Sequence, residues 1–101
     1  KVKKLDEKSL THKPLLPHMG WNTVEVVNSN KLFNDIDSKI GFYFLHSYYF
    51  ECDNKFDIIA FTQYGKVFPA AVCHNNVFGI QFHPEKSHSN GYTLLKNFAK
   101  I

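Results

Sequence analysis

The chain has 101 residues, 44% of them hydrophobic and 16% aromatic, which suits one small domain with an ample core and no more than one domain. The net charge is +3, and the only basic cluster, Lys1, Lys3, Lys4 and Lys8, is diluted by Asp6 and Glu7, so no nucleic-acid partner is expected. No apolar run approaches the ~20 residues of a membrane helix and no signal-peptide pattern opens the chain, so no membrane is expected; the two cysteines, Cys52 and Cys73, form no disulfide framework and fit a reducing cytoplasm.

Residues 1–17 are polar and carry Pro14 and Pro17, which exclude a helix interior and predict loop or a short edge segment. Pro17-His18-Met19-Gly20-Trp21-Asn22 reads as a tight loop, with Gly20 free to take positive φ and Asn22 able to bond its own backbone. Thr23 to Val27 is a short strand by its β-branched content. In residues 28–39, Leu32, Phe33 and Ile36 recur at helical spacing, predicting a turn or two capped by Ser29 or Asn30. Gly41 to Phe50 is the most apolar run and lacks alternation, which predicts a strand buried on both faces. Glu51 to Lys55 is a turn. Asp57 to Tyr64, a Gly65-Lys66 turn and Val67 to His74 make a hairpin, with Pro69 expected at an edge or bulge. Asn75-Asn76 is a second turn, and Val77 to Phe82 the next strand, so three strands meander towards His83. The chain closes on a helix capped by Ser87 or Ser89, with Gly91 in its first turn. Leu94, Leu95, Phe98 and Ile101 line one apolar face, and Lys96 and Lys100 suit the negative end of its dipole.

The chemistry-bearing stretch is Phe78-Gly79-Ile80-Gln81-Phe82-His83-Pro84-Glu85-Lys86-Ser87. Positions i and i+2 of an extended chain point the same way, so His83 and Glu85 are expected to leave the strand end together, with Pro84 stopping the strand between them. An imidazole oriented by a carboxylate is the pairing that general-base chemistry requires. The pair lacks a nucleophile. Cys52 has no flanking glycine and no following helix, and Cys73 lies inside a strand, so neither is expected to be reactive. His46 has no carboxylate near it in sequence and reads as structural or as a positioner. No His/Cys spacing matches a metal site, and no cofactor motif is present.

Phe-Gly-Ile-Gln-Phe-His-Pro-Glu resembles the motif that closes the class I (triad) glutamine amidotransferases, in which a His and a Glu complete a Cys-His-Glu triad. Lys86-Ser87 and the six contiguous residues Pro-His-Met-Gly-Trp-Asn resemble one branch of that family, the glutaminase subunits of imidazole glycerol phosphate synthase in histidine biosynthesis. The resemblance runs from about Pro14 to the C-terminus. It implies the C-terminal half of a flavodoxin-like α/β domain, a mixed sheet with an antiparallel meander and a C-terminal helix, whose other half carries the nucleophile in a Gly-x-Cys-x-Gly turn. It implies that His83 and Glu85 are catalytic, that the main chain at Ser47 and Tyr48 holds the α-amino and carboxylate groups of the substrate glutamine, and that Trp21, Tyr43 and Lys86 face a (β/α)₈-barrel cyclase partner beside the ammonia passage. It also implies that this chain alone releases no ammonia from glutamine. Two other readings are a paralogue feeding ammonia to an enzyme that modifies surface sugars, and a small non-catalytic binding module.

Overall fold

The computed structural model describes residues 2–4, 18–50 and 54–101. Cys52 and the segment carrying Pro14 and Pro17 lie outside the described residues. In chain order the elements are strands β1 (Val2–Lys4), β2 (His18–Asn22), β3 (Glu25–Val26), β4 (Phe42–His46), β5 (Tyr48–Phe50), β6 (Ile58–Tyr64), β7 (Lys66–His74) and β8 (Val77–Ile80), then helix α1 (His88–Ala99). Strands β3, β6, β7 and β8 form one sheet in that order, while β2 pairs with β4 and β1 with β5. The strand pairs described all run antiparallel. The antiparallel meander and the closing helix of the expected α/β fold are therefore present.

The β6–β7 hairpin forms where its turn residues place it. Its register slips between Ala60 and Phe61: Ala60 stands opposite Ala71 and Phe61 opposite Pro69, so Ala70 is passed over. Pro69 thus sits beside a bulge, where its missing N–H is tolerated. The Asn75-Asn76 turn leads into β8, which stops at Ile80, short of the expected Phe82. One 3-10 turn, Lys31–Phe33, fills the predicted helical stretch, and the Asn30 Oδ1 caps it by accepting from the Leu32 N–H at 2.9 Å.

Three expectations fail for identifiable reasons. Residues 18–22 are not a loop: β2 pairs along its whole length with β4, Met19 opposite Leu45 and Trp21 opposite Tyr43, and Gly20 takes its positive φ of +119° inside the strand. The alternation is one of side-chain character, with His18 turned inward and Met19 and Trp21 turned out. The run 41–50 is two strands broken at Ser47 and placed in different sheets. It is buried on one side only, Phe42 and Phe44 fully and Tyr43 and Leu45 in part. Helix α1 packs through Asn90, Gly91 and Leu94, whereas Leu95, Phe98 and Ile101 are about half exposed at 49%, 51% and 53%. Polar anchoring, rather than an apolar stripe, decides that face. Asn90 Nδ2 donates to the carbonyls of Asp37 at 2.9 Å and Gly41 at 2.8 Å, and its Oδ1 accepts from the Asp37 N–H at 3.0 Å.

The main core gathers Val24, Leu32, Phe33, Phe42, Phe44, Ile59, Ala60, Ala70, Ala71, Phe82 and Leu94. At its centre the Phe82 ring stacks on Phe42, centroids 4.0 Å apart, with Phe33 edge-on to both. Burying Phe82 fixes the phase of the chain that follows, and His83 is the next residue.

Candidate active site

His83 is held by its backbone before its side chain is considered. Its N–H donates to the Tyr43 carbonyl at 2.9 Å. The fully buried Ser87 hydroxyl accepts from the Tyr43 N–H at 2.9 Å and donates to the His83 carbonyl at 2.6 Å. Tyr43 belongs to a pair with Trp21 on the β2 side, so β4 uses its free edge to grip the 83–87 segment. Ser87 stands at the N-cap position of α1, as expected, but its side chain makes no cap hydrogen bond. It is spent on this clamp instead. Gly91 lets the helix approach: a Cβ there would lie 1.8 Å from the Pro84 carbonyl oxygen.

The His83 and Glu85 side chains meet, with Nδ1 2.8 Å from Oε2. The route differs from the expected strand tip. His83 is extended at φ −106° and ψ 100°, but Glu85 lies in a 3-10 turn, Pro84–Lys86, that opens with the proline and folds the carboxylate back onto the ring. The hydrogen bond from His83, aided by the positive charge of Lys86 nearby, holds the Glu85 carboxyl below the usual carboxylate range. This contact is therefore present above the ordinary carboxylate pKa and lost as pH falls through the lowered one. With Nδ1–H donating to Glu85, the neutral ring presents Nε2 as a bare lone pair. The Leu45 carbonyl, 3.4 Å from Nε2, gains a donor only once the ring is doubly protonated. The side chains of His83 and Glu85 are 36% and 61% exposed, so the pair is accessible. The arrangement is that of an oriented proton acceptor.

The other sequence-derived candidates fall at defined places. Ser47 is the half-buried bend between β4 and β5, and Tyr48 is exposed at the start of β5, opposite Lys4. Trp21 is edge-on to Tyr43, with centroids 6.3 Å apart, and stacks on His88 at 5.6 Å. Trp21 and Tyr43 thus share the outer face of the β2–β4 ribbon. Lys86 is exposed in the turn after His83. Cys73 is within β7, its thiol turned to the Asn75 carbonyl. Among the described residues no group of three or more His, Cys, Asp or Glu could hold a metal ion, and no helix is long and apolar enough to cross a membrane.

Sequence reasoning missed two residues. Ser87 was readable only as a cap. His18, assigned to a loop, is 2% exposed and stacked between Phe44 at 4.7 Å and Tyr64 at 4.1 Å. Burial, and then the nearby His46, lower its pKa to about 4. Its Nδ1 lies 2.8 Å from His46 Nε2, and His46 Nδ1 lies 2.7 Å from the Tyr48 carbonyl oxygen. The pKa of His46 is lowered too, first by burial and further by His83, against the opposing effect of its bond to the Tyr48 carbonyl. Period-2 placement of His18 with Gly20 and Asn22 fits a strand, but the residues that face and bury His18 come only from the pairing with β4, so no signal in the sequence marks it.

The chain is similar to known proteins. Over 101 residues the chain is 48% identical to an imidazole glycerol phosphate synthase subunit HisH of Leptospira interrogans, covering all of this chain and 50% of that protein. It is 54% identical over 85 residues to the HisH subunit of Bdellovibrio bacteriovorus, covering 84% of this chain and 42% of the relative. It is 46% identical over 91 residues to a HisH subunit of Methanococcus maripaludis, covering 90% and 45% respectively. The chain spans about half the length of the curated relatives it matches. Residues 7–101 match the family model described as glutamine amidotransferase class-I, and the chain belongs to that family.

Proposed function

We propose that this chain is the C-terminal half of a flavodoxin-like glutaminase domain and supplies the His and Glu of a Cys-His-Glu triad. The observation that carries the reading is the 2.8 Å bond between His83 Nδ1 and Glu85, which leaves Nε2 as the free base. The similarity to HisH subunits supports it. The thiol and the oxyanion donors come from residues beyond these 101. His83 Nε2 takes the thiol proton, and the thiolate attacks the side-chain amide carbon of glutamine. The proton passes to the leaving nitrogen, which departs as ammonia. Water, deprotonated by the same Nε2, then cleaves the thioester to glutamate and restores the thiol. Glu85 keeps Nδ1 as the donor throughout and stabilises the imidazolium.

The main chain at Ser47, between the β4 and β5 ladders, and at Tyr48, the first residue of β5, holds the α-amino and carboxylate groups of the substrate. Trp21, Tyr43 and Lys86 face a (β/α)₈-barrel cyclase in the cytoplasm, which consumes the ammonia in making imidazole glycerol phosphate and an aminoimidazole carboxamide ribotide. The test is His83→Ala in the full-length protein assembled with its cyclase. Glutamine-dependent synthesis is expected to fall by at least about 10²-fold, in line with loss of a general base, while synthesis from added ammonia is spared. Equal loss of both, or loss of neither, overturns the proposal.

A further inference from the structure

The histidines of the β2–β4 ribbon form a hydrogen-bonded line whose direction can be read atom by atom. Asn22 fixes its start: its Oδ1 accepts from the Thr23 N–H at 2.8 Å and its Nδ2 donates to the Gln63 carbonyl at 2.8 Å, so its amide orientation is determined. The second Nδ2 hydrogen then points to His18 Nε2 at 3.3 Å, which must accept. At the far end the Tyr48 carbonyl can only accept, so His46 Nδ1 carries a hydrogen. Between them, His18 Nδ1 donates to His46 Nε2 at 2.8 Å. Both rings are thereby neutral, and both are in the Nδ1–H form. The stacking of His18 between Phe44 and Tyr64 holds the plane of its ring, and the two hydrogen bonds at its edge select between the two flips in that plane.

The line ends on a functional segment. His46 spans the bend at Ser47 and grips the carbonyl of the residue after it, joining the end of β4 to the start of β5. Only Ser47 stands outside a ladder, His46 being paired with His18 and Tyr48 with Lys4, and the side-chain bond adds a direct tie across it. We infer that His46, held in the Nδ1–H form by the Tyr48 carbonyl on one side and by the donating His18 Nδ1 on the other, is a positioning residue for glutamine: it sets the main-chain geometry at Ser47 and Tyr48 that receives the substrate's α-substituents. This inference rests on the glutaminase reading above. It assigns His46 no proton transfer. His18 acts only through His46.

The test is kinetic and uses the full-length protein assembled with its cyclase. His46→Ala removes the bond to Tyr48. The KM for glutamine is expected to rise roughly three- to tenfold, the worth of one neutral hydrogen bond, with kcat and ammonia-dependent synthesis little changed. His46→Asn, whose amide can donate in place of Nδ1, is expected to recover most of the loss. His18→Phe keeps a stacked ring, so it tests the tautomer lock without opening the core. It is expected to raise the KM by less than His46→Ala does, because the Tyr48 carbonyl still favours Nδ1–H, and the ¹⁵N spectrum of His46 should then show a minor population of the other tautomer where the wild type shows Nδ1–H alone. An unchanged glutamine KM in His18→Phe and His46→Ala overturns the positioning role. So does loss of ammonia-dependent synthesis in parallel with glutamine-dependent synthesis, which marks a general structural defect. If His83→Ala leaves glutaminase activity intact, it is the underlying glutaminase reading that fails.

Discussion

The carbonyl of Tyr43 accepts the peptide N–H of His83 at 2.9 Å. Through that bond the candidate base is tied to β4, which with β2 forms the ribbon whose outer face carries Tyr43 and Trp21, residues proposed to meet the partner. Ser87 doubles the tie by bonding the N–H of one residue and the carbonyl of the other. A small displacement of β4 by a docking partner would therefore move the His83 backbone directly, without passing through the apolar core.

Removing the Ser87 hydroxyl tests that linkage. Ser87→Ala leaves the part-buried Tyr43 N–H without its acceptor, which costs about 1–3 kcal/mol. Denaturant unfolding of the full-length protein should read this as a lower midpoint with an unchanged slope. Glutamine-dependent turnover should fall more than ammonia-dependent turnover, because the His83 carbonyl loses the Ser87 hydroxyl and keeps only the Lys86 N–H. No change in midpoint would mean that water replaces the hydroxyl.

Gly91 gives a prediction whose sign is decided by geometry. Within a helix, Gly→Ala ordinarily stabilises by roughly 1 kcal/mol. Here the added Cβ would stand 1.8 Å from the Pro84 carbonyl oxygen, so α1 or the Pro84–Lys86 turn must shift. Gly91→Ala is expected to destabilise by about 2 kcal/mol or more. A thermal melt that rises instead would show the turn free to move.

These contrasts explain what the sequence could disclose. Meander, turns, bulge and terminal helix were legible because their causes are local: a Gly at a hairpin, Asn-Asn before a strand, a Pro that cannot sit mid-ladder. The meeting of His83 with Glu85 was also legible, although the 3-10 turn that produces it was not, since i,i+2 proximity arises from either backbone. The face of α1 was misread because Asn90 satisfies three hydrogen bonds that no periodicity encodes. His18 was invisible for the same reason. Its burial depends on Phe44 and Tyr64, which lie far along the chain on β4 and β6.

The lowered pKa of His18 makes stability depend on pH. The folded value is about 4 against an ordinary 6.5, so between these two values the unfolded chain binds a proton that the folded chain does not. Stability contributed by the neutral ring is complete above pH 6.5, falls steadily towards pH 4 and is flat below it, a total of about 3 kcal/mol at ~1.4 kcal/mol per unit. His46 on β4, whose pKa is lowered as well, adds to the slope in the same direction, while Tyr64 on β6 stays neutral across this range. Urea midpoints measured from pH 7 to pH 4 should fall accordingly, and His18→Phe should flatten the profile. A slope unchanged by that substitution would place the titration elsewhere.

A substitution at Trp21 is expected to separate folding from the proposed partner binding. Its side chain is 45% exposed, edge-on to Tyr43 and stacked on His88, itself exposed at the start of α1. Little of the core depends on it, so Trp21→Ala should lower the stability of the free protein by no more than roughly 1 kcal/mol. An indole presented on a rigid strand, beside a second aromatic, offers large contact area at small entropic cost, which makes it a natural anchor for an interface. Loss of such an anchor costs about 2 kcal/mol or more, or about thirtyfold in Kd. Titration of the variant against the cyclase is therefore expected to show weakened assembly with an intact fold. Glutamine hydrolysis without the cyclase should keep its wild-type rate, because Trp21 touches neither His83 nor Glu85. Assembly at wild-type affinity would move the interface off the outer face of the β2–β4 ribbon.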